Sequence, residues 1–213
     1  IVDNEAAIEA SKQEIIRRSF DTECDYKKGL SDEETRDHIR LIMEELELKQ
    51  EDRAPVKPAR AYAERLMKRT VDNEIPAVIA FELNDGRIIT GRTSDLMDAC
   101  SSAILNAIKA LANISDDILL LSPVILEPIK KLKSDGLHKR IPTLTANEIL
   151  IALSISAVTN PTAQLDYDKL SELKDVQAHS TVILNKDDDQ ILRNLGLDIT
   201  CDPVYPSENL YYV

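Results

Sequence analysis

Three short polar clusters in the sequence combine side chains that could bind or activate a small molecule. The first is Thr93, Ser94 and Asp95, just ahead of a long amphipathic pattern. Unpaired amides at a helix start attract an anion or a hydroxyl-rich ligand, so these residues are candidate ligand contacts. We favour the alternative that Thr93 or Ser94 only caps the helix, because Asp95 and Asp98 would already satisfy its positive end and repel an anion. A ligand at this place should be neutral or cationic.

The second cluster, Asn160, Thr162 and Gln164, follows a very apolar helical stretch. Buried amide and hydroxyl groups in such a place could read the polar edge of a small molecule. The competing interpretation is a helix terminus, because Asn–Pro is a common stop and turn signal and the polar side chains would satisfy the last carbonyls. We favour the terminus and keep all three residues as ligand-binding candidates.

The third cluster is His179–Ser180–Thr181 at the entry to a predicted strand, with Asp202 after the next strand. Together they could supply a base, a hydroxyl and an orienting carboxylate, so His179 and Ser180 are site candidates. Neighbouring side chains on a strand point to opposite faces, which disfavours direct activation of Ser180 by His179. A structural histidine is the favoured interpretation, and the sequence identifies no catalytic residue.

The cysteines and the consecutive acids carry no metal or redox signature. Cys24, Cys100 and Cys201 are odd in number, far apart and outside any Cys-x-x-Cys pair, which predicts reduced thiols and no metal site. Cys100 falls on the core-facing side of its helix, which favours a packed thiol. Asp187–Asp189 stands at a predicted helix start, where acids interact well with the helix dipole.

The composition that must position these residues is typical of a soluble globular protein. The chain of 213 residues is 43% hydrophobic and 30% charged, with a net charge of −12. A negative surface disfavours nucleic acid and anionic membranes as partners. The longest nearly apolar stretch, Ile149–Val158, is far shorter than a membrane span, and no signal segment is evident, so we expect a cytoplasmic location. Because the chain begins at Ile1 rather than Met, we expect a fragment of a longer protein.

Residues 1–74 have helical periodicity and predict a helical subdomain. Ser31 with Glu34 predicts a capping box at the second helix, and prolines and polar residues predict a boundary near residue 74. Apolar positions mark the faces of three helices: Ile8, Ile15 and Ile16; Ile39, Ile42, Met43 and Leu46; and Ala59, Tyr62, Ala63, Leu66 and Met67.

Residues 75–213 predict an α/β sheet domain. A hairpin joins strands over residues 78–83 and 87–90 through Asn84–Asp85–Gly86. The expected class is α+β, a helical bundle followed by a sheet layered with helices. The further elements are a long helix, a buried strand at Ile118–Leu121, a helix over Val124–Lys133, a central apolar helix opened by Thr145 and Glu148, a helix near Leu170, a strand at Ser180–Leu184, a helix over Asp187–Leu195 and a strand at Leu197–Cys201.

Long runs of the sequence closely resemble one uncharacterised bacterial family. The runs are EASKQEIIRRSF (9–20), GRTSDLMDACSSAILNAIKALANISDDI (91–118), ILIALSISAVTNPTAQ (149–164) and AHSTVILNKDDDQILRNLGLDITCDPVYPSENLYY (178–212). They resemble the family known as domain of unknown function eighteen forty-six over essentially the whole chain. The resemblance implies a cytosolic protein of which this chain is the C-terminal half, with a P-loop-like N-terminal half suited to a nucleotide. With five glycines and no G-x-x-x-x-G-K-[ST] loop, this chain itself predicts no cofactor.

The order of elements over residues 75–202 is also similar to the cytidine-deaminase-like fold. The zinc enzymes of that fold need a His- or Cys-x-Glu at the start of the long helix and a Pro-Cys-x-x-Cys at the start of the next one. Here these places read Ser94–Asp95–Leu96–Met97–Asp98 and Ser122–Pro123–Val124–Ile125–Leu126. The resemblance therefore implies the shape without the zinc chemistry.

Two functions are consistent with these patterns. The first is an accessory and assembly module that packs on the N-terminal half of its own protein and forms a homo-oligomer. The alternative is a domain that binds or converts a nucleotide or metabolite. In that case the helix start at Ser94–Asp95, the loop at Asn160–Thr162 and His179–Ser180 would converge on one pocket.

Overall fold

Helices and a small sheet make up the part of the chain that the computed structural model describes, which is residues 4–68, 76–115, 117–138 and 143–206. Within these ranges eight α-helices and a four-stranded mixed sheet are present, so the predicted α+β class is confirmed. Of the helices described, none combines the length and the apolar character that crossing a bilayer requires. The predicted boundary near residue 74 lies outside the described residues, and the likeness to the cytidine-deaminase-like fold stays a prediction.

The N-terminal part is helical, as its periodicity predicts. The predicted capping box is wrong: α2 begins at Glu33, so Asp32 rather than Ser31 is the capping residue and accepts the Thr35 amide at 2.8 Å. The elements are α1 Asn4–Lys28, α2 Glu33–Glu45, a 3-10 turn Gln50–Asp52 and α3 Val56–Met67.

The sheet is built on the predicted hairpin. Strand β1, Val78–Glu82, pairs antiparallel with β2, Ile88–Arg92. Gly86, at φ +83°, supplies the left-handed residue that the turn requires. On the other side β1 pairs antiparallel with β3, Gln177–Ser180, which in turn runs parallel to β4, Asp198–Cys201. The resulting strand order is β2-β1-β3-β4, with β1 and β3 in the centre.

Two predicted strands are wrong in place or kind. Residues 118–121 take turn and irregular backbone; Leu120 and Leu121 are buried by packing into the core rather than by joining a ladder. The strand predicted at Ser180–Leu184 ends at Ser180 instead. The Ser180 hydroxyl donates to the Val182 carbonyl at 2.7 Å and accepts the Val182 amide at 3.3 Å, and these bonds close a turn directly after the strand.

The remaining helices surround the sheet. Thr145 and Glu148 open α6 as predicted, since the Thr145 amide donates to the Glu148 carboxylate at 2.9 Å. The helix predicted over Val124–Lys133 is α5 with part of the following turn, and the one predicted over Asp187–Leu195 is α8. The elements are α4 Ala99–Leu111, α5 Pro123–Lys131, a π-helical turn Leu132–Gly136, α6 Ala146–Ala157, α7 Pro161–Asp168, a 3-10 turn Lys169–Leu173 and α8 Lys186–Asn194.

Strand β1 is buried on both faces and so joins two layers of helices. Ile79 and Phe81 belong to the main core, which α4 and α6 complete on one side of the sheet. Val78 and Ala80 point the other way and pack on α3. Because side chains alternate along a strand, one short segment anchors helices on both faces.

Helix α4 lies very close to the sheet at Gly91 in β2. A Cβ atom added there would lie 2.5 Å from the Ala103 Cα atom and closer still to the Ala103 amide nitrogen, both in the backbone of α4. Only glycine allows this separation, so Gly91 sets how deeply α4 sits against β2.

We expect Gly91→Ala to lower the free energy of unfolding by about 3 kcal/mol, because the backbone of α4 must move to admit the methyl group. Urea unfolding followed by circular dichroism measures this. Gly136→Ala is the matched control: its Cβ would meet the flexible end of the Leu132 side chain at 2.9 Å, so the change should stay within about 1 kcal/mol. Equal effects of the two substitutions would contradict this account of the packing.

Candidate functional site

A cavity of about 370 Å³ opens between β2, α4, α5 and the segment that precedes α5. This volume lies within the range of small-molecule sites. The wall combines aliphatic side chains with a few polar and basic groups: Tyr62, Thr90, Gly91, Arg92, Ser94, Leu96, Met97, Ser102, Leu105, Asn106, Lys109, Ile118, Leu119, Leu120, Leu121 and Leu126.

Of the first predicted cluster, only Ser94 lines this cavity. Its hydroxyl accepts the amides of Leu96 and Met97 at 3.3 and 3.2 Å and donates to the Met97 carbonyl at 3.2 Å. Ser94 therefore holds a turn ahead of the helix. Thr93 and Asp95 are exposed and lie outside the cavity wall.

The predicted cap at Thr93 or Ser94 is wrong, because α4 begins only at Ala99. Asp98 is its N-cap and accepts the Ser101 amide at 2.7 Å. Burial raises the pKa of Asp98, and the bonds to Ser101 oppose that rise.

The second cluster lies at the junction of α6 and α7. Asn160 is the N-cap of α7, and its Oδ1 atom accepts the Thr162 amide at 3.0 Å. Gln164 is exposed and donates to Asp168 at 2.7 Å along the same helix. Helix α6 ends before this cluster, as the helix-terminus interpretation predicts, but Asn160 caps the start of α7 rather than the last carbonyls of α6. The ligand-binding role of the three residues stays a prediction.

The third cluster is buried within the sheet. His179 Nδ1 lies 2.9 Å from the Thr200 hydroxyl, and its Nε2 lies 3.4 Å from Asp202 Oδ1. The Phe20 ring of α1 covers the imidazole at a centroid distance of 4.8 Å. Ser180 is bonded to Val182 rather than to the histidine, so no activated hydroxyl is formed here.

Two arginines complete this buried region. Arg60 of α3 donates through Nη2 to Asp202 Oδ1 at 2.6 Å, and through Nε to both carboxylate oxygens. Arg53 has a fully buried side chain; it pairs with Asp198 Oδ2 at 3.1 Å and donates to the backbone carbonyls of Asp198 and Ala178. We call Arg53, Arg60, Asp198 and Asp202 the arginine clamp.

The three clusters do not meet in this cavity. Neither Asn160 nor His179 belongs to the wall of the cavity that Ser94 lines. The chemistry of each place is thus separate: a cavity with a mixed wall, a helix cap, and a buried ion-pair network.

Comparison with known proteins places the chain in a family. The family model described as Domain of unknown function DUF1846, C-terminal, matches residues 51–211, and the one described as Domain of unknown function DUF1846, N-terminal, matches residues 1–47. The chain belongs to the DUF1846 family.

Curated relatives are similar over the whole chain. UPF0371 proteins of Clostridium botulinum (strain Eklund 17B / Type B) and Clostridium tetani (strain Massachusetts / E88) are each 58% identical over 212 residues. A UPF0371 protein of Clostridioides difficile (strain 630) is 56% identical over the same length. In each case the match covers 100% of this chain and 42% of the relative. The chain thus spans less than half the length of these relatives.

The clamp arginines of this DUF1846 chain are not among the candidates that the sequence singles out. Arg53 directly follows two acids and precedes Pro55 by two residues, a pattern typical of a linker. Arg60 follows Pro58 by two residues. Only the placement of β4 reveals their partners. Asp202 is the one clamp residue that the sequence links to His179.

The thiols and the acids of α8 fit their predicted roles. Cys100 is buried in α4, and burial raises its pKa. Burial likewise raises the pKa of Cys24 and of Cys201 to about 12, so all three stay protonated near neutral pH. Asp187, Asp188 and Asp189 lie in the first turn of α8, where negative charge interacts favourably with the helix dipole.

Burial lowers the pKa of His179, and the neighbouring Asp202 only partly opposes that shift. The folded chain therefore holds the imidazole neutral near pH 7, whereas the unfolded chain takes up a proton below pH 6.5. Stability that depends on this group is present above the ordinary pKa and is lost as the pH falls through it.

We expect His179→Gln to lose less stability than the parent chain between pH 7 and pH 5, by roughly 1 kcal/mol, because it has no buried imidazole to protonate. Urea unfolding at both pH values measures the difference. His38→Gln, at an exposed histidine of α2, should keep the pH dependence of the parent. A pH dependence of His179→Gln equal to that of the parent would refute the buried neutral histidine.

Proposed function

We propose that this chain is a docking and assembly part of a longer protein, and that helices α6 and α7 present the surface that the rest of the polypeptide covers. The observation that carries this proposal is an apolar helix that is only half buried. Any activity of the longer protein would then depend on a unit that this chain stabilises.

Helix α6 is apolar on nearly all sides. One face, with Ile149 and Leu153, packs in the main core. The opposite face carries Ile151 and Ile155, which are 52% and 56% exposed, and the following Val158 is 81% exposed. An all-round apolar helix is normally buried on every side, so the exposed face lacks the cover that its sequence calls for.

Helix α7 extends the same kind of surface. It packs directly on α6, and its Leu165 and Tyr167 are also exposed. Monomeric proteins rarely leave this many large apolar side chains on two adjoining helices without a partner.

The length of the relatives indicates what covers the exposed face of α6 and α7. More than half of each relative lies outside the matched region. A covalently attached partner faces its docking surface at a high effective concentration, so a moderate apolar face is enough to hold it. We therefore assign the face to a further part of the same polypeptide rather than to a second copy.

In this proposal a nucleotide, if the longer protein uses one, is held by a P-loop-like part outside this chain. We also propose that the protein acts in the cytoplasm. Its free cysteines are consistent with such a reducing compartment.

A second candidate function is small-molecule binding at the cavity beside Ser94. The specific observation that favours it is the cavity wall, which joins aliphatic side chains to a few polar groups, as ligand sites do. This candidate concerns a different surface from the docking face.

We expect the double substitution Ile151→Ser and Ile155→Ser to change the stability of the isolated chain by less than about 1 kcal/mol, because both side chains are already exposed. In the longer polypeptide the same change should cost about 2–4 kcal/mol, since the two side chains lose their buried contacts. Thermal and urea unfolding of both proteins measure the difference.

The matched control is Leu30→Ser with Leu41→Ser, two leucines that are exposed elsewhere, near and on α2. It should have the same small effect in both proteins. An equal effect of the α6 substitutions in the two proteins would contradict the docking proposal. Sedimentation that shows the isolated chain to be a dimer, which the α6 substitutions dissociate, would assign the face to a second copy instead.

A further inference from the structure

The wall of the cavity beside Ser94 has an aliphatic part and a part with polar and basic side chains, and the buried residues of the aliphatic part are leucines. Leu105, Leu120, Leu121 and Leu126 are each less than a tenth exposed and meet there from α4, α5 and the segment between them. Leu119 stands at the edge and is 69% exposed. Such a surface favours a hydrocarbon group that removes it from water.

The charged side chains of the wall are all basic. Arg92 and Lys109 line it, and none of the aspartates and glutamates that the structure describes does, although the chain has 38 acidic against 26 basic residues. Within the described part of the chain no carboxylate lies within ion-pair distance of Arg92, which donates to the Thr93 carbonyl at 3.2 Å. A local excess of positive charge in an acidic protein favours an anionic group at this place.

The surrounding acids affect the two basic residues differently. Asp95 is exposed and lies outside the wall. Asp117 and the buried Asp166 both lie close enough to Lys109 to interact with its charge, so they offset part of the positive charge of that lysine. Arg92 is the stronger of the two anion contacts for this reason.

Seven of the sixteen described wall residues carry hydrogen-bonding side chains, and part of this capacity is already used within the protein. The Asn106 amide donates to the Thr90 carbonyl at 2.9 Å, and Lys109 donates to the Ile118 carbonyl at 2.9 Å. Among the described residues of the wall Tyr62 is the one aromatic side chain, so these residues supply no stacked pair of rings for a nucleobase. The wall therefore suits a ligand that combines an apolar part with one charged end.

We infer that the cavity binds a small amphipathic anion, a short hydrocarbon chain that ends in a carboxylate or a phosphate. The chain would lie along Leu105, Leu120, Leu121 and Leu126, and the anionic end would meet Arg92 and Lys109. This assignment rests on the second candidate function and reverses the charge that the sequence predicts for a ligand beside Ser94. The reason is that Asp95 and Asp98, which suggested a neutral or cationic ligand, are not part of the wall.

The test uses the 213-residue chain with octanoate and octyl phosphate as probes, and with octanol as their uncharged counterpart. A ligand that binds the folded state raises the melting temperature, and isothermal titration calorimetry then gives each Kd. We expect both anions to bind at least about tenfold more tightly than octanol. Inorganic phosphate alone should give no shift, because it leaves the aliphatic wall empty.

Substitutions place the ligand within the cavity. Arg92→Gln with Lys109→Gln should weaken both anions by about tenfold or more and leave octanol unchanged. Arg92→Gln alone should weaken them in the same direction, which covers the case that loss of the Lys109 bond to Ile118 disturbs the loop. Ser102→Phe, which fills the cavity from α4, should abolish binding of all three probes. Arg87→Gln is the control, because this arginine of the same hairpin pairs with Asp85 outside the wall.

The contrary results would overturn different parts of this inference: the anionic group, the cavity or the class of ligand. Equal binding of octanol and octanoate, or anion binding that survives the Arg92 and Lys109 substitutions, overturns the anion assignment while a small-molecule site remains. Anion binding that survives Ser102→Phe shows that the probes sit elsewhere and overturns the site. Absence of binding by every probe overturns the ligand class proposed here, and the docking function of α6 and α7 is unaffected.

Discussion

Burial of the Arg53 guanidinium is the constraint on which the rest of this structure depends. A buried charge is tolerated only when it is paired and hydrogen-bonded, and Arg53 finds its partners on strands β3 and β4, more than a hundred residues away in the chain. Arg60 does the same through Asp202, and the imidazole of His179 lies between this carboxylate and Phe20 of α1. The arginine clamp thereby fixes the N-terminal helices on the sheet.

The clamp also explains which parts of the chain remain available for function. It engages Asp202, and the turn after β3 engages Ser180, so these contacts fit the structural interpretation of the His179 cluster. Burial would raise the pKa of Asp202, but His179 and Arg60 outweigh that effect and lower it. The surfaces that we propose for function lie elsewhere, in the cavity beside β2 and on the outer face of α6.

Local sequence signals predict the elements of this fold better than they predict its site. The hairpin at Gly86, the opening of α6 at Thr145 and Glu148 and the N-terminal helices follow from short-range chemistry, and all are present. The strand at Ile118–Leu121 is wrong because an apolar run is equally suited to a buried loop, and periodicity does not separate the two. The site depends on contacts between residues that are far apart in the sequence. The sequence around Arg53 predicts a linker, because it does not show that Asp198 lies opposite this arginine. Likewise, the sequence predicts Ser94 as the helix cap, although Asp98 has that role in the structure.

The arginine clamp is expected to make the N-terminal helices and the sheet one cooperative unit. Native-state hydrogen exchange of the parent chain and of Arg53→Met tests it most directly, with amides of α1 around Ile16–Phe20 compared with those of β3 and β4. If the clamp couples them, these segments have equal opening free energies, and both lose about 3 kcal/mol in the variant. An α1 that opens at much lower free energy than the sheet, unchanged by Arg53→Met, would contradict it.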